Sequence, residues 1–117
     1  MDASTPPEGY LGADARIRKG PAPEMVEAGY RREMADAPLL HRGLNLADLA
    51  HVIMLGERGV IPAGQQSDLL GALLELSGVD VDEFAYDPRY GDAYNARERW
   101  LERRVGRAAG WLPAGRP

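Results

Sequence analysis

DAYNARERWLERRVGRAAGWLPAGRP, residues Asp92 to Pro117, is the stretch from which the rest of the chain is read. Its first half predicts an amphipathic helix. Trp100, Leu101, Val105 and Ala108 recur on one face, and Glu98, Arg99, Glu102 and Arg103 occupy the other. Asp92 stands one residue ahead of that pattern, where a carboxylate accepts from the free backbone N–H groups and meets the positive end of the helix dipole. Beyond Gly106 the periodicity fades, and Gly110, Pro113, Gly115 and Pro117 dictate irregular backbone. An apolar-faced helix leading into a loop that carries glycine and arginine suits contact with an anion.

Working back from this stretch, Val79 to Gly91 holds acids, aromatics and Pro88 and reads as a loop, with a turn at Tyr86, Asp87 and Pro88. A leucine-rich helix is expected over Ala63 to Leu76, stopped by Gly78. Before it, Leu44, Leu46, Leu49, Val52, Ile53, Met54 and Leu55 make an apolar surface broad enough to predict burial on more than one side. Gly56 and Gly59 end that helix, and Val60, Ile61 and Pro62 turn the chain. Pro23 suits a first helical turn, and Met25, Val26, Tyr30 and Met34 carry a helical period to Ala37, where Pro38 is expected to break or bend it. Met1 to Gly20, with two prolines and three glycines, reads as a flexible, extended arm. The expected fold is all-α: three to four helices over residues 21–117 in a small up-and-down arrangement, with an N-terminal arm over 1–20.

Composition narrows the function. A chain of 117 residues holds one domain with a modest core. A net charge of −4 argues against a nucleic-acid partner, and no run is long and apolar enough for a membrane span. The absence of cysteine removes disulfides, thiol nucleophiles and cysteine-type zinc sites, and fits the cytoplasm. His41, near a helix boundary, reads as a cap or exposed ring, and His51 as a packed, hydrogen-bonded ring. Their spacing does not suit a helical metal pair, and no calcium-type loop exists, so neither metal nor cofactor is expected.

The candidate site is the polar cluster Asp92, Tyr94, Asn95 and Arg97, together with Arg116. Tyr94 and Arg97 are three apart and share a helix face, so Arg97 can offer a forked donor to a substrate carboxylate. Arg116 follows Gly115, which allows close backbone approach to a ligand. The competing reading is a capped helix with a solvated, salt-bridged rim.

The order D-x-Y-N-x-R-E-x-x-L, then G-x-x-A-G-x-L-x-A-G-R, resembles the first signature region of the argininosuccinate lyase branch of the fumarase/aspartase superfamily. Typical members carry E-D-I-H-x-x-N-E followed by A-G-K-L-H-T-G-R-S-R-N-D. On that pattern Asp92, Glu98, Leu101, Gly110, Leu112, Gly115 and Arg116 match. Tyr94 stands at the usual histidine, Arg97 at the usual asparagine, Pro113 and Ala114 at the His-Thr pair, and Pro117 at the serine. Arg16 and Ile17, with Gly20 and Pro21, are similar to the G-R-[IL]…P opening of such chains, and the helix order follows their N-terminal domain.

Family enzymes cleave a C–N bond by elimination, which needs a base, donors for an aci-carboxylate and an acid for the leaving nitrogen. In the family these come from a later Thr/Ser-His motif and a G-S-S-x-M-P-x-K-x-N loop, neither of which this chain contains. The resemblance therefore implies no catalytic residue here and a chain inert alone. It implies a small subunit or fragment that docks on a larger lyase-like chain carrying the central helices and catalytic loop. It would line a composite site for a small carboxylate-containing substrate of the aspartate-adduct type. The alternative is a non-catalytic regulatory or interaction module that has lost the site.

Overall fold

One stripe of α-helix organises the molecule: Met34, Ala37, His41, Asn45, Asp48, Val52 and Leu55, spaced three or four apart and all buried. They lie on α2 (Arg31–Glu57), which α1 (Pro23–Met25) enters through a π-helical turn at Val26–Tyr30 without a break. The computed structural model describes residues 5–12 and 14–116, so Pro117 and the first four residues of the arm lie outside it. Pro23 occupies the first helical position, where its missing N–H costs no bond. The break expected at Pro38 does not occur, for that residue lies inside α2. Interior proline costs about 3 kcal/mol. Burying Met34, Val52 and Leu55 on the same face contributes about 1.5–3 kcal/mol each, enough to carry the helix through.

The expected burial of this helix on more than one side is also corrected. Leu39, Leu40, Leu46, Ile53 and Met54 are exposed, Leu39 to 84%. The reason is geometric: α3 packs along the inner stripe, and no described element covers the opposite face.

Gly59, at φ +70°, reverses the chain after α2, and buried Ile61 plugs the corner before α3 (Ala63–Ser77). Leu69, Ala72, Leu73 and Leu76 face the core. Gly56 makes room for the Gln66 side chain, since a Cβ there would lie 1.8 Å from its amide. That amide donates to the Val52 carbonyl at 3.2 Å.

Residues 79–91 are a loop with two short 3-10 turns, Val81–Glu83 and Pro88–Tyr90. Each is opened by an aspartate, Asp80 or Asp87, whose carboxylate accepts a backbone N–H two residues on at 2.9 Å. Phe84 and Tyr90 turn inward to the core. Then α4 (Ala93–Val105) buries Ala93, Ala96, Trp100 and Leu101, and a 3-10 helix, Gly106–Trp111, brings Leu112 into the same core. Among the described residues there is no strand. No helix among them is long and apolar enough to cross a membrane.

Residues 5–12 lie against α4. The Glu8 carboxylate accepts from the Tyr90 hydroxyl and from Arg103, and the Asn95 amide donates to the carbonyls of Tyr10 and Tyr90 at 2.8 Å each. This corrects the polar face expected for α4. Arg99 is buried rather than solvated, with its guanidinium close to Gly12 and between Glu98 and Glu102.

Candidate functional site

Five side chains were expected to act together, and the fold divides them. Asp92 is the N-cap of α4, accepting the Asn95 N–H at 2.8 Å. Replacing it with alanine is expected to destabilise the fold by about 0.5–2 kcal/mol, read as a shift in urea midpoint. Asn95 is committed to the two carbonyls that hold the leading segment to α4. Tyr94 points outward and is 55% exposed.

Arg97 turns the other way, because position 97 lies four residues from Ala93 and four from Leu101, in register with the buried face. Its side chain is 1% exposed. The Nε and Nη2 atoms donate to Asp48 Oδ2 at 3.1 and 3.0 Å, and Nη2 donates also to Asn45 Oδ1 at 2.7 Å. The fork expected for a substrate is thus occupied by the protein's own carboxylate. The second Asp48 oxygen accepts from Arg116 Nη1 at 2.8 Å. One buried aspartate therefore fixes two guanidiniums, one sealed inside and one at the surface.

The network continues inward. Arg97 Nη1 reaches the Tyr86 hydroxyl at 3.5 Å, and that hydroxyl lies 2.7 Å from His41 Nδ1. Burial pushes the Tyr86 phenol above its ordinary range, with the Arg97 hydrogen bond opposing. A neutral phenol donating to Nδ1, with His41 protonated on Nε2 and facing the Val79 carbonyl at 3.3 Å, satisfies all partners. His41 is accordingly a buried, bonded ring in mid-helix and not the cap or exposed ring expected. His51 is half-buried and bonds the Ala114 carbonyl at 2.8 Å.

Above this network lies a cleft of about 350 Å³ between α2 and α4, closed at one end by the turn after Leu112. Leu44, Ala47, Asp48, Tyr94, Glu98, Pro113 and Arg116 line it. Of the expected residues it gathers Tyr94 and Arg116 at its surface, with Arg97 behind Asp48; Asp92 and Asn95 do not line it. Asp48, Asn45 and Glu98 were not among the expected site residues. Asn45 and Asp48 fall in the register of the Met34–Leu55 stripe, and polar residues in a core register are the signal that would have found them.

Glu98 is the titratable wall of the cleft. Burial raises its carboxyl above the usual range; Arg99 and Arg116 oppose this, and the charges of Asp92 and Asp48 reinforce it. The folded chain therefore holds this proton more tightly than the unfolded chain. Stability falls as pH rises from the ordinary carboxylate range through the raised folded value. Glu98→Gln is expected to flatten that decline, measured as urea midpoint against pH.

Among the described residues no group of three or more histidine, cysteine or acidic side chains is placed to hold a metal ion. The cleft offers a guanidinium, a phenol and a carboxyl, a set suited to gripping a small anion.

Over 61 residues, 52% of the chain, the sequence is 38% identical to the argininosuccinate lyase of Methanoculleus marisnigri, a match covering 12% of that protein. Over 69 residues, 59% of the chain, it is 29% identical to the argininosuccinate lyase of Methanothermobacter thermautotrophicus, covering 15% of that protein. The chain is thus similar to argininosuccinate lyases over about half its length, and the matches span a small part of those relatives. No family model matches, and no solved structure does.

Proposed function

We propose that the chain is an argininosuccinate lyase-like N-terminal domain acting as a small subunit. In this reading it docks on a larger chain that carries the elimination chemistry and supplies one wall of a composite site. The observation that carries the reading is Arg116. Its guanidinium is held from one side by Asp48 at 2.8 Å and faces a cleft shared with Tyr94 and Glu98. An arginine oriented in this way is suited to hold the carboxylate of an aspartate-type adduct. Similarity to two archaeal argininosuccinate lyases supports the reaction class, and the exposed apolar face of α2 supports the need for a partner.

The test is purification of the tagged full-length chain from the organism that encodes it, followed by a turnover assay with argininosuccinate. A co-purifying lyase-like chain is expected, with fumarate released by the pair and by neither alone. Arg116→Ala is expected to leave assembly intact and lower turnover about 10- to 150-fold, the worth of one charged hydrogen bond. A chain that purifies alone would overturn the proposal. A complex indifferent to Arg116 would favour a regulatory module.

A further inference from the structure

The outer face of α2 carries a seven-residue repeat. Leu39, Leu46 and Ile53 stand seven apart, with Gly43 and Ala50 between them, so large and small side chains alternate down one seam. A helix turns about 100° per residue, which sets this seam opposite the buried stripe, and all five residues are exposed. Such a seam is complementary to itself when reversed. When a second copy lies antiparallel across a two-fold axis with its Ala50 against Leu46, Ile53 falls opposite Gly43, and symmetry repeats both layers. Each large side chain then enters the space left by a small one. On one flank Leu40 meets Met54 of the other copy, and Ala47 meets its own counterpart beside the axis. A parallel pair would set glycine on glycine and alanine on alanine, leaving gaps that a packed interface does not tolerate.

Charge selects the same register. Asp36, Arg42, Glu57 and Arg58 border the seam, are exposed, and make no ion pair among the described residues. The reversed pairing brings Asp36 beside Arg58 of the other copy and Glu57 beside Arg42, at both ends of the overlap. A parallel pair would set each of these charges against its own kind. We propose that α2 binds a second copy of this chain, antiparallel, through the seam from Leu39 to Glu57. A strip of helix roughly 28 Å long and 10 Å wide falls short of the about 800 Å² per partner of a standard interface. Association at roughly 10–100 µM is therefore expected, and well below that range the chain is a monomer. Ala47 also lines the Arg116 cleft, so the two clefts flank the axis on one side of the pair. A larger chain of the kind proposed above would dock on this pair, and the pairing itself does not rest on that proposal.

Sedimentation equilibrium of the full chain between about 1 and 500 µM reads the mass directly. A rise from one chain to two is expected. Leu46→Glu is expected to abolish that rise with helical circular dichroism unchanged, since Leu46 is exposed in the single chain. Gly43→Leu tests the register. A Cβ at Gly43 meets nothing within 4 Å in the single chain, so the variant folds. It is expected to weaken pairing about 5- to 150-fold by crowding Ile53 of the other copy, and Ile53→Ala added to it to restore pairing. The chain has no cysteine, so Leu40→Cys and Met54→Cys report direction. Oxidising a mixture of these two variants should cross-link one to the other and neither to itself. A chain that stays monomeric over the whole range would overturn the inference and leave the face to a larger chain. Pairing indifferent to Leu46→Glu or to Gly43→Leu would also overturn it, as would cross-links within either cysteine variant alone. None of these results depends on whether a larger lyase-like chain is found, so the two proposals fail separately.

Discussion

Asp48→Ala is expected to lower the unfolding free energy by about 3–5 kcal/mol, a large share of the roughly 5–15 kcal/mol that holds a small domain together. The carboxylate accepts from Arg97 through Nε and Nη2 and from Arg116 through Nη1. Removing it leaves Arg97, 1% exposed, with only Asn45 and a long contact to Tyr86. Arg116 keeps a route to water, being 22% exposed, so most of the loss arises at Arg97. The double variant Asp48→Leu with Arg97→Met separates charge from shape. If the penalty is an uncompensated charge, the double variant should recover to near the parent or above it. Urea unfolding reads both, and a double variant as unstable as the two single losses combined would show that packing and not charge is at stake.

The second large effect is expected at Leu101, which is fully buried between α4 and its neighbours. Leu101→Ala should cost about 2–5 kcal/mol, the lost transfer energy plus the cavity that remains. Leu39→Ala is the matched control: the same atoms are removed from a side chain that is 84% exposed, and a change within about 0.5 kcal/mol is expected. The contrast tests whether the outer face of α2 contributes to the fold. Equal losses at the two positions would mean that Leu39 is covered by a second molecule under the conditions of measurement, and dilution would reveal it.

The helices were legible where local pattern decides them. The Asp92 cap, the leucine spacing of α3 and the glycine stops each act within a turn of the residues they control. Continuity across Pro38 was not legible, because the local cost of a proline is visible in sequence while the burial that offsets it comes from contacts far along the chain. The same reason hid the partner of Arg97. Asp48 lies 49 residues away, and the pairing follows only once α2 and α4 are docked. A substrate fork and a structural fork look alike in one dimension. What could have told them apart is register, since position 97 falls on the face that Ala93 and Leu101 bury.

The seating of Glu8 on Arg103 joins residues 95 apart, and this sets a timetable for synthesis. The segment around Glu8 leaves the ribosome well before α4, and its site does not exist until α4 has been translated. Pro6 and Tyr10 must therefore wait, unsheltered, until α4 is available. Until α4 emerges, a chaperone that holds nascent chains would find this segment uncovered.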